Sequence, residues 1–305
     1  MRISPINYNY YKPSFKSTTR TTYISNSDGV FVLPSYNRQL GKTKQFSSNS
    51  DVKMINSNTT NFFRRDIDWK TLGKIFKKQF PQGKVNIYDF ACSDGSEAYS
   101  LIITLIEQLG EKNAQRFFPI IASDVDEEII RMANSKKIVA TSEDIFSMGN
   151  IIKDGNIKKY FSITELGGEK FLLTPKEILT KNVTFKKESI VQGLDEIQKQ
   201  ENNIILARNF WKYLSREDLI NASWKLGEKT NKKTLLLIGN FDLASNCCYP
   251  YFLEALGFDY HDENELADNI LRKKEEYINP KTTSFVSWKD FVEGQYPRYI
   301  PSYIR

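Results

Sequence analysis

Two clusters of small and acidic residues have the types and spacing to hold a ligand. The stretch Asp89-Phe90-Ala91-Cys92-Ser93-Asp94-Gly95 follows an apolar run and opens an amphipathic one. Small residues at 91, 92, 93 and 95 let a ligand approach the backbone, and the first turn of a helix favours negative charge. Only Gly95 of the usual glycines is present, so a tight turn without a ligand is an equal reading of this stretch alone. The second cluster, Ser123-Asp124-Val125-Asp126, closes another apolar run. A carboxylate there can accept two hydrogen bonds from the vicinal hydroxyls of a ribose. Capping the next helix is the competing role, and Asp126 could fill it without Asp124. Together the two clusters point to an adenosyl ligand more strongly than either does alone.

These residues need strands and helices to position them. Val85 to Phe90 is expected to be a strand, and Ser96 to Leu109 a helix with Tyr99, Leu101, Ile102, Leu105 and Ile106 facing inward. Phe118 to Ala122 is a second strand, followed by a helix from about Glu127 to Asn134. Ile204 to Ala207 is a third strand. It leads to a helix from Ser215 to about Leu226, with Ser215 as cap and Glu217 and Asp218 in the first turn. Leu235 to Ile238 is a fourth strand, and Pro250 to Leu256 a helix before Gly257. Upstream, Asp68 caps a helix carrying Trp69, Leu72, Ile75 and Phe76 on one face. Strand and helix alternating at this spacing predict an α/β fold, a doubly wound parallel sheet with helices on both faces. Lys170 to Thr174 and Asn182 to Lys186, around Pro175, are expected to form a small β-hairpin insertion within about 160–187. Leu266, Ile270 and Leu271 give Glu263 to Tyr277 a helical spacing.

Composition narrows the classes. Of 305 residues 40% are hydrophobic, enough for a sizeable core. The net charge of +6 belongs to residues 1–50, where Arg2, Lys12, Lys16, Arg20, Arg38, Lys42 and Lys44 face the single acid Asp28. Residues 51–305 are neutral overall, which argues against a fold built to grip nucleic acid. Residues 1–50 lack an apolar period and are expected to be a disordered basic, polar tail ahead of one domain over 51–305. No apolar run is long enough to span a bilayer and no leader pattern opens the chain, so a cytoplasmic location is expected. Cys92, Cys247 and Cys248 form neither a disulfide framework nor a zinc spacing. With His261 as the only histidine, a histidine-based metal cluster or triad is not expected.

At four places, in order over roughly residues 56–240, the chain resembles the CheR-type chemotaxis-receptor methyltransferases. Asn58-Thr59-Thr60-Asn61-Phe62-Phe63-Arg64 is similar to the family's N-x-T-x-F-F-R element. Ala91 to Ser100 is similar to its first motif, usually GCSTGEEPYS. Ala122-Ser123-Asp124-Val125-Asp126 matches A-T-D-I-D, and Ala207 to Leu214 resembles C-R-N-x-x-x-Y-F. The resemblance implies a Rossmann-like methyltransferase sheet and S-adenosylmethionine as cofactor. It implies cofactor contacts at Asn58, Thr60, Arg64, Gly95, Glu97, Asp124, Ser189, Ile190, Ala207 and Arg208. It places Arg64 and Tyr213 near the transferred methyl group, and implies a protein glutamate, on a chemoreceptor or another protein, as acceptor.

Methyl transfer from a sulfonium is an in-line displacement, so alignment of donor and acceptor does most of the work. A glutamate carboxylate, with a pKa of about 4.3, is already ionised and needs no general base. A hydroxyl or amine would have to lose a proton first. With one histidine, outside all four motifs, a carboxylate acceptor is favoured. A small-molecule acceptor, or a non-catalytic module that binds S-adenosylmethionine, remains open. The family's G-H-S-E element is replaced by Gly239-Asn240-Phe241-Asp242, Lys212 stands where an apolar residue is usual, and a polar tail replaces the N-terminal helical domain. These departures bear on receptor docking more than on cofactor contacts.

Overall fold

The computed structural model describes residues 45–47, 53–55, 60–65, 67–239, 258–260 and 270–273. A short antiparallel pair, β1 (Gln45–Ser47) and β2 (Lys53–Ile55), precedes α1 (Trp69–Gln79). Asp68 caps α1, its side chain accepting from the Lys70 N–H, as the sequence predicts. Then come β3 (Val85–Phe90), α2 (Ser96–Leu109), α3 (Glu111–Ala114), β4 (Ile120–Asp124) and α4 (Glu127–Asn134). The chain continues through β5 (Ile138–Thr141), α5 (Ser142–Ile151), β6 (Phe161–Gly167), β7 (Lys170–Pro175) and α6 (Glu177–Thr180). The last described elements are β8 (Val183–Lys187), α7 (Ile190–Gly193), β9 (Asn202–Ala207), α8 (Arg216–Lys229), β10 (Thr234–Leu237), β11 (Phe258–Tyr260) and β12 (Ile270–Lys273).

Seven strands form the main sheet in the order β8-β4-β3-β9-β10-β12-β11. The five from β8 to β10 are parallel, and β12 runs antiparallel to both its neighbours. Helices cover both faces, so the central strands are apolar nearly throughout; every residue of β10 is buried. Along β3 the side chains alternate: Val85 and Ile87 join the core under α1 and α2, while Tyr88 and Phe90 join the one under α7 and α8. From β3 the chain moves outward to β4 and β8, then returns to β9 on the other side. The carboxyl ends of β3 and β9 therefore flank the crevice where such sheets bind ligands. Helix α2 is buried on all sides from Ser96 to Ile106, more completely than a single inward face requires. It lies between the main sheet, α1 and the residues around the smaller sheet. Its polar residues stay satisfied because the Ser100 and Thr104 hydroxyls donate to carbonyls one turn back, at 2.7 and 2.8 Å.

The structure corrects three sequence expectations. Strand β4 begins at Ile120, not Phe118. The Phe118 N–H turns back to the Gln115 carbonyl, Pro119 has no N–H, and Ile120 is the first to donate across, to Asn182. The hairpin within 160–187 is made by β6 and β7, and β7 also pairs with β5 in a three-stranded antiparallel sheet. The segment 182–186 does not pair with 170–174: as β8 it lies parallel to β4 in the main sheet, where a short helix between β7 and β8 makes that crossing possible. Finally, Ile270–Lys273 is a strand paired with β10 and β11, sheet pairing having overridden the helical spacing. The tail expected over residues 1–50 lies outside the described residues except at Gln45–Ser47, which is not disordered but pairs with Lys53–Ile55, and the helix over 250–256 lies outside them. Among those residues no helix is long and apolar enough to cross a membrane.

One polar clamp joins α2 to the smaller sheet. Glu107 is nearly buried and accepts from the Lys153 N–H (2.9 Å), Lys159 Nζ (2.7 Å) and the Tyr160 hydroxyl (2.5 Å). Burial pushes its carboxyl up, but the three donors outweigh burial and hold it below the usual range. Its contribution to stability is therefore complete above the unfolded carboxylate range and lost as pH falls through the lower folded value. Glu107→Ala should lower unfolding free energy by about 2–3 kcal/mol, measured by urea denaturation at neutral pH, and the gap to wild type should narrow as the medium is acidified below about pH 4.

Candidate functional site

The turn between β3 and α2 places Ala91, Ser93 and Gly95 in left-handed backbone, with φ of 56°, 51° and 86°. Such geometry is strained for alanine and serine and free for glycine. At Gly95 space also demands glycine, since a Cβ would lie 2.6 Å from the Phe185 ring of β8. Hydrogen bonds hold the turn. The Cys92 N–H donates to the Ser123 carbonyl (2.9 Å), and Asp94 Oδ1 accepts from the Ser96 N–H (3.0 Å) and hydroxyl (2.6 Å).

Asp124 ends β4 and is only 7% exposed. Its Oδ2 accepts from the Ser93 N–H at 3.1 Å and its Oδ1 from the Asp126 N–H at 3.0 Å, so it joins the two acidic turns. Burial raises its carboxyl above the usual range, against the pull of these backbone donors. Asp126 takes the capping role, accepting from the Glu128 and Ile129 N–H groups. The structure thus separates the two functions that the sequence leaves open, with Asp126 as cap and Asp124 buried at the strand end. The Glu188 N–H donates to the Asp124 carbonyl at 2.9 Å, which brings Ser189 and the buried Ile190 alongside. The Ser189 hydroxyl is engaged with Gln192 as the cap of α7.

At the far side of the crevice, Ala207 ends β9 and Arg208 follows it. Glu97, in the first turn of α2, forms an ion pair with Arg208, the two side chains being 11% and 1% exposed. Beyond them lies the turn that carries Arg64. The Phe62 N–H donates to Asp144 Oδ1 and the Phe63 N–H to the Ser100 hydroxyl, each at 3.0 Å. Phe63 itself has φ 48°, and the Arg64 carbonyl accepts from the Trp69 indole at 2.8 Å. Ser100 stands one helical turn along α2 from Glu97, so the backbone leading into Arg64 is fastened to the helix that bears Glu97. Thr60 is buried nearby in sequence, and Asn58 falls outside the described residues. Tyr213 is half-buried at the end of a 3₁₀ turn, Trp211–Tyr213, whose last N–H bonds the Phe210 carbonyl at 2.8 Å.

Sequence reasoning missed Asp89, quoted only as the start of the first turn. It is fully buried, and among the described residues neither of its oxygens has a hydrogen-bond partner. The Ser93 and Ser123 hydroxyls are also buried without one. The signal was available, because in a strand that alternates Val85, Ile87, Asp89 a carboxylate takes an interior position. Unsatisfied polar atoms gathered at the ends of β3 and β4 fit a site for a polar, nucleoside-bearing ligand.

This sheet, its reversal at β3 and β9, and the acidic turns beyond its strands define a Rossmann-like fold of the S-adenosylmethionine-dependent methyltransferase class. Residues 58–247 match the family model "CheR methyltransferase, SAM binding domain", and the chain belongs to that family of chemotaxis protein methyltransferases. Its cofactor is S-adenosylmethionine. Among curated proteins it is 27% identical over 215 residues to a chemotaxis protein methyltransferase of Borreliella burgdorferi, covering 67% of this chain and 71% of that protein. It is 25% identical over 202 residues to chemotaxis protein methyltransferase 2 of Vibrio cholerae, covering 64% and 65%. Solved structures similar to it include a putative rRNA-methylase from Clostridium thermocellum, at 12% identity and TM-score 0.37 over 68% of this chain and 96% of that one. Another is the magnesium protoporphyrin IX methyltransferase of Synechocystis PCC 6803 with bound SAM, at 13% identity and TM-score 0.32 over 71% and 84%.

Two substitutions separate cofactor binding from framework. Asp124→Ala should weaken S-adenosylmethionine binding at least about tenfold in calorimetric titration, through loss of a charged acceptor. Arg208→Ala should in addition destabilise the fold by about 3–5 kcal/mol, because it strands Glu97 as an unpaired buried charge.

Proposed function

We propose that the protein transfers a methyl group from S-adenosylmethionine to a glutamate side-chain carboxylate of another protein, with a chemoreceptor as the first candidate, in the cytoplasm. The observation that supports this reading is the tethered turn that leads into Arg64. Its turn is pinned by Asp144 and Ser100 beside the helix that bears Glu97. A guanidinium reaching the crevice from that turn would suit a carboxylate acceptor, which it could grip with paired hydrogen bonds. The cofactor supplies a methyl group on a sulfonium, open to in-line displacement. Glutamate is ionised at neutral pH, so this chain's task is to orient the carboxylate and exclude water rather than to remove a proton.

In this reading Arg64 and Tyr213 are the catalytic residues, orienting the acceptor beside the methyl group. Asn58, Thr60, Arg64, Gly95, Glu97, Asp124, Ser189, Ile190, Ala207 and Arg208 hold the cofactor. Asp124 would take the ribose hydroxyls, and the Glu97–Arg208 pair would lie at the methionyl end. The methyltransferase domain would span 51–305, with 1–50 as an appended basic segment.

Incubation with methyl-labelled S-adenosylmethionine and candidate receptor proteins tests the proposal. The expected product releases volatile methanol on mild base treatment, as an ester does. Arg64→Ala should lower kcat by about a hundredfold or more, and Tyr213→Phe by about tenfold, through lost alignment. Base-stable label on protein, or label only on a small molecule, would overturn the glutamate assignment.

A further inference from the structure

The charges buried around the cofactor crevice do not balance. Asp89, Asp94, Glu97 and Asp124 are all buried, against Arg208 as the only buried cation among the residues whose burial is described. Arg208 is committed to Glu97. Asp124 has two backbone donors and Asp94 has Ser96. Asp89 alone has both oxygens buried without a hydrogen bond among the described residues. It sits one residue from the end of β3, its side chain on the face toward α2. The ionisable groups that bear on it are Glu97 of α2, Arg208 after β9, Asp124 of β4, and Cys92 of the turn.

Ionising such a group in the empty protein is unfavourable. Burial acts first, the like charges of Glu97 and Asp124 add to it, and Arg208 only partly offsets them, so the Asp89 carboxyl stays well above its ordinary range. The same surroundings keep the buried Cys92 thiol neutral. S-adenosylmethionine changes this balance. It brings a sulfonium and an ammonium against a single carboxylate, a net positive charge, into a crevice that lacks one.

We propose that Asp89 holds a proton in the cofactor-free protein and releases it to solvent when S-adenosylmethionine enters, so that cofactor binding is coupled to proton release. The bond broken is the Asp89 carboxyl O–H, and the proton goes to water or buffer. The resulting carboxylate is balanced by the positive charge of the ligand. This makes Asp89 a determinant of selectivity for a cationic cofactor. It rests on the cofactor assignment and not on the identity of the methyl acceptor.

The coupling has two signatures. While Asp89 is protonated in the free protein, affinity for S-adenosylmethionine should rise by up to about tenfold per pH unit. In the absence of cofactor, a carboxyl raised by folding adds stability below its unfolded value and loses it as pH rises toward the folded one. Asp89→Asn keeps the shape and removes the proton, so it should be more stable than wild type at neutral pH, with the difference shrinking on acidification.

The experiment is calorimetric titration of the full chain with S-adenosylmethionine between about pH 5 and pH 7, below the ordinary α-amino range, in buffers of different ionisation enthalpy. Wild type is expected to release a proton per cofactor bound over part of this range. Asp89→Asn is expected to release none and to bind with an affinity flat in pH. A wild type that releases no proton overturns the proposal, whatever the variant does. A release that persists in Asp89→Asn assigns the proton to Asp124 or Glu97 and also overturns it. Asp89→Ser serves as a second variant should the asparagine protein fail to fold. Wild type that does not bind S-adenosylmethionine at any pH would instead remove the cofactor assignment.

Discussion

The buried ion pair between Glu97 and Arg208 is the interaction on which the site depends. It bridges the first turn of α2 and the residue after β9, and so crosses the point where the strand order reverses. Removing either partner leaves a charge stranded in the interior, a loss far larger than that of an exposed pair. The pair also uses the local positive charge, which leaves Asp89 and Asp124 to face one another across the ends of β3 and β4. The electrostatic character of the crevice follows from that single commitment.

Around this pair the fold works as a set of carriers. Four of the five parallel strands carry a candidate site residue near or beyond the carboxyl end: Asp89 in β3, Asp124 in β4, Ile190 after β8, and Arg208 after β9. The sheet register fixes their mutual spacing, with Phe90 opposite Ser123 on one side and Ala207 on the other. The first turn accepts left-handed backbone at Ala91 and Ser93 to reach into this array. Strain of that kind persists only where surrounding bonds determine it, here the Cys92 and Ser93 amides bonded to β4.

Much of this was legible in the sequence where one physical signal dominated. The bounds of β3, α2 and α4 follow from apolar periodicity bracketed by small or acidic residues, and the caps at Asp68, Asp126 and Ser215 follow from side-chain chemistry. What was not legible depended on partners distant in the chain. A run such as 182–186 can pair with any strand of matching pattern, and only tertiary packing places it beside β4 rather than β7. The same holds for Ile270–Lys273, helical by spacing and sheet by pairing. Among site residues, Asp124 was readable because it ends a strand. For Asp89 the alternation of β3 showed only an interior position; that it is left without a partner follows from the bonds its neighbours have already made. Ser100 and Asp144, which fix the Arg64 turn, left no trace in local spacing, lying 37 and 82 residues from the amides they accept.

That last pair has a mechanical consequence. The successive amides of Phe62 and Phe63 are fastened to different bodies, one to α5 beside the three-stranded sheet and the other to α2 against the main sheet. The strained turn between them is therefore a coupling link: if either sheet shifts against the other, the torque falls on residue 63 and swings residue 64. A load borne by the small sheet is geared to the backbone of residue 64, through two hydrogen bonds and a single peptide unit.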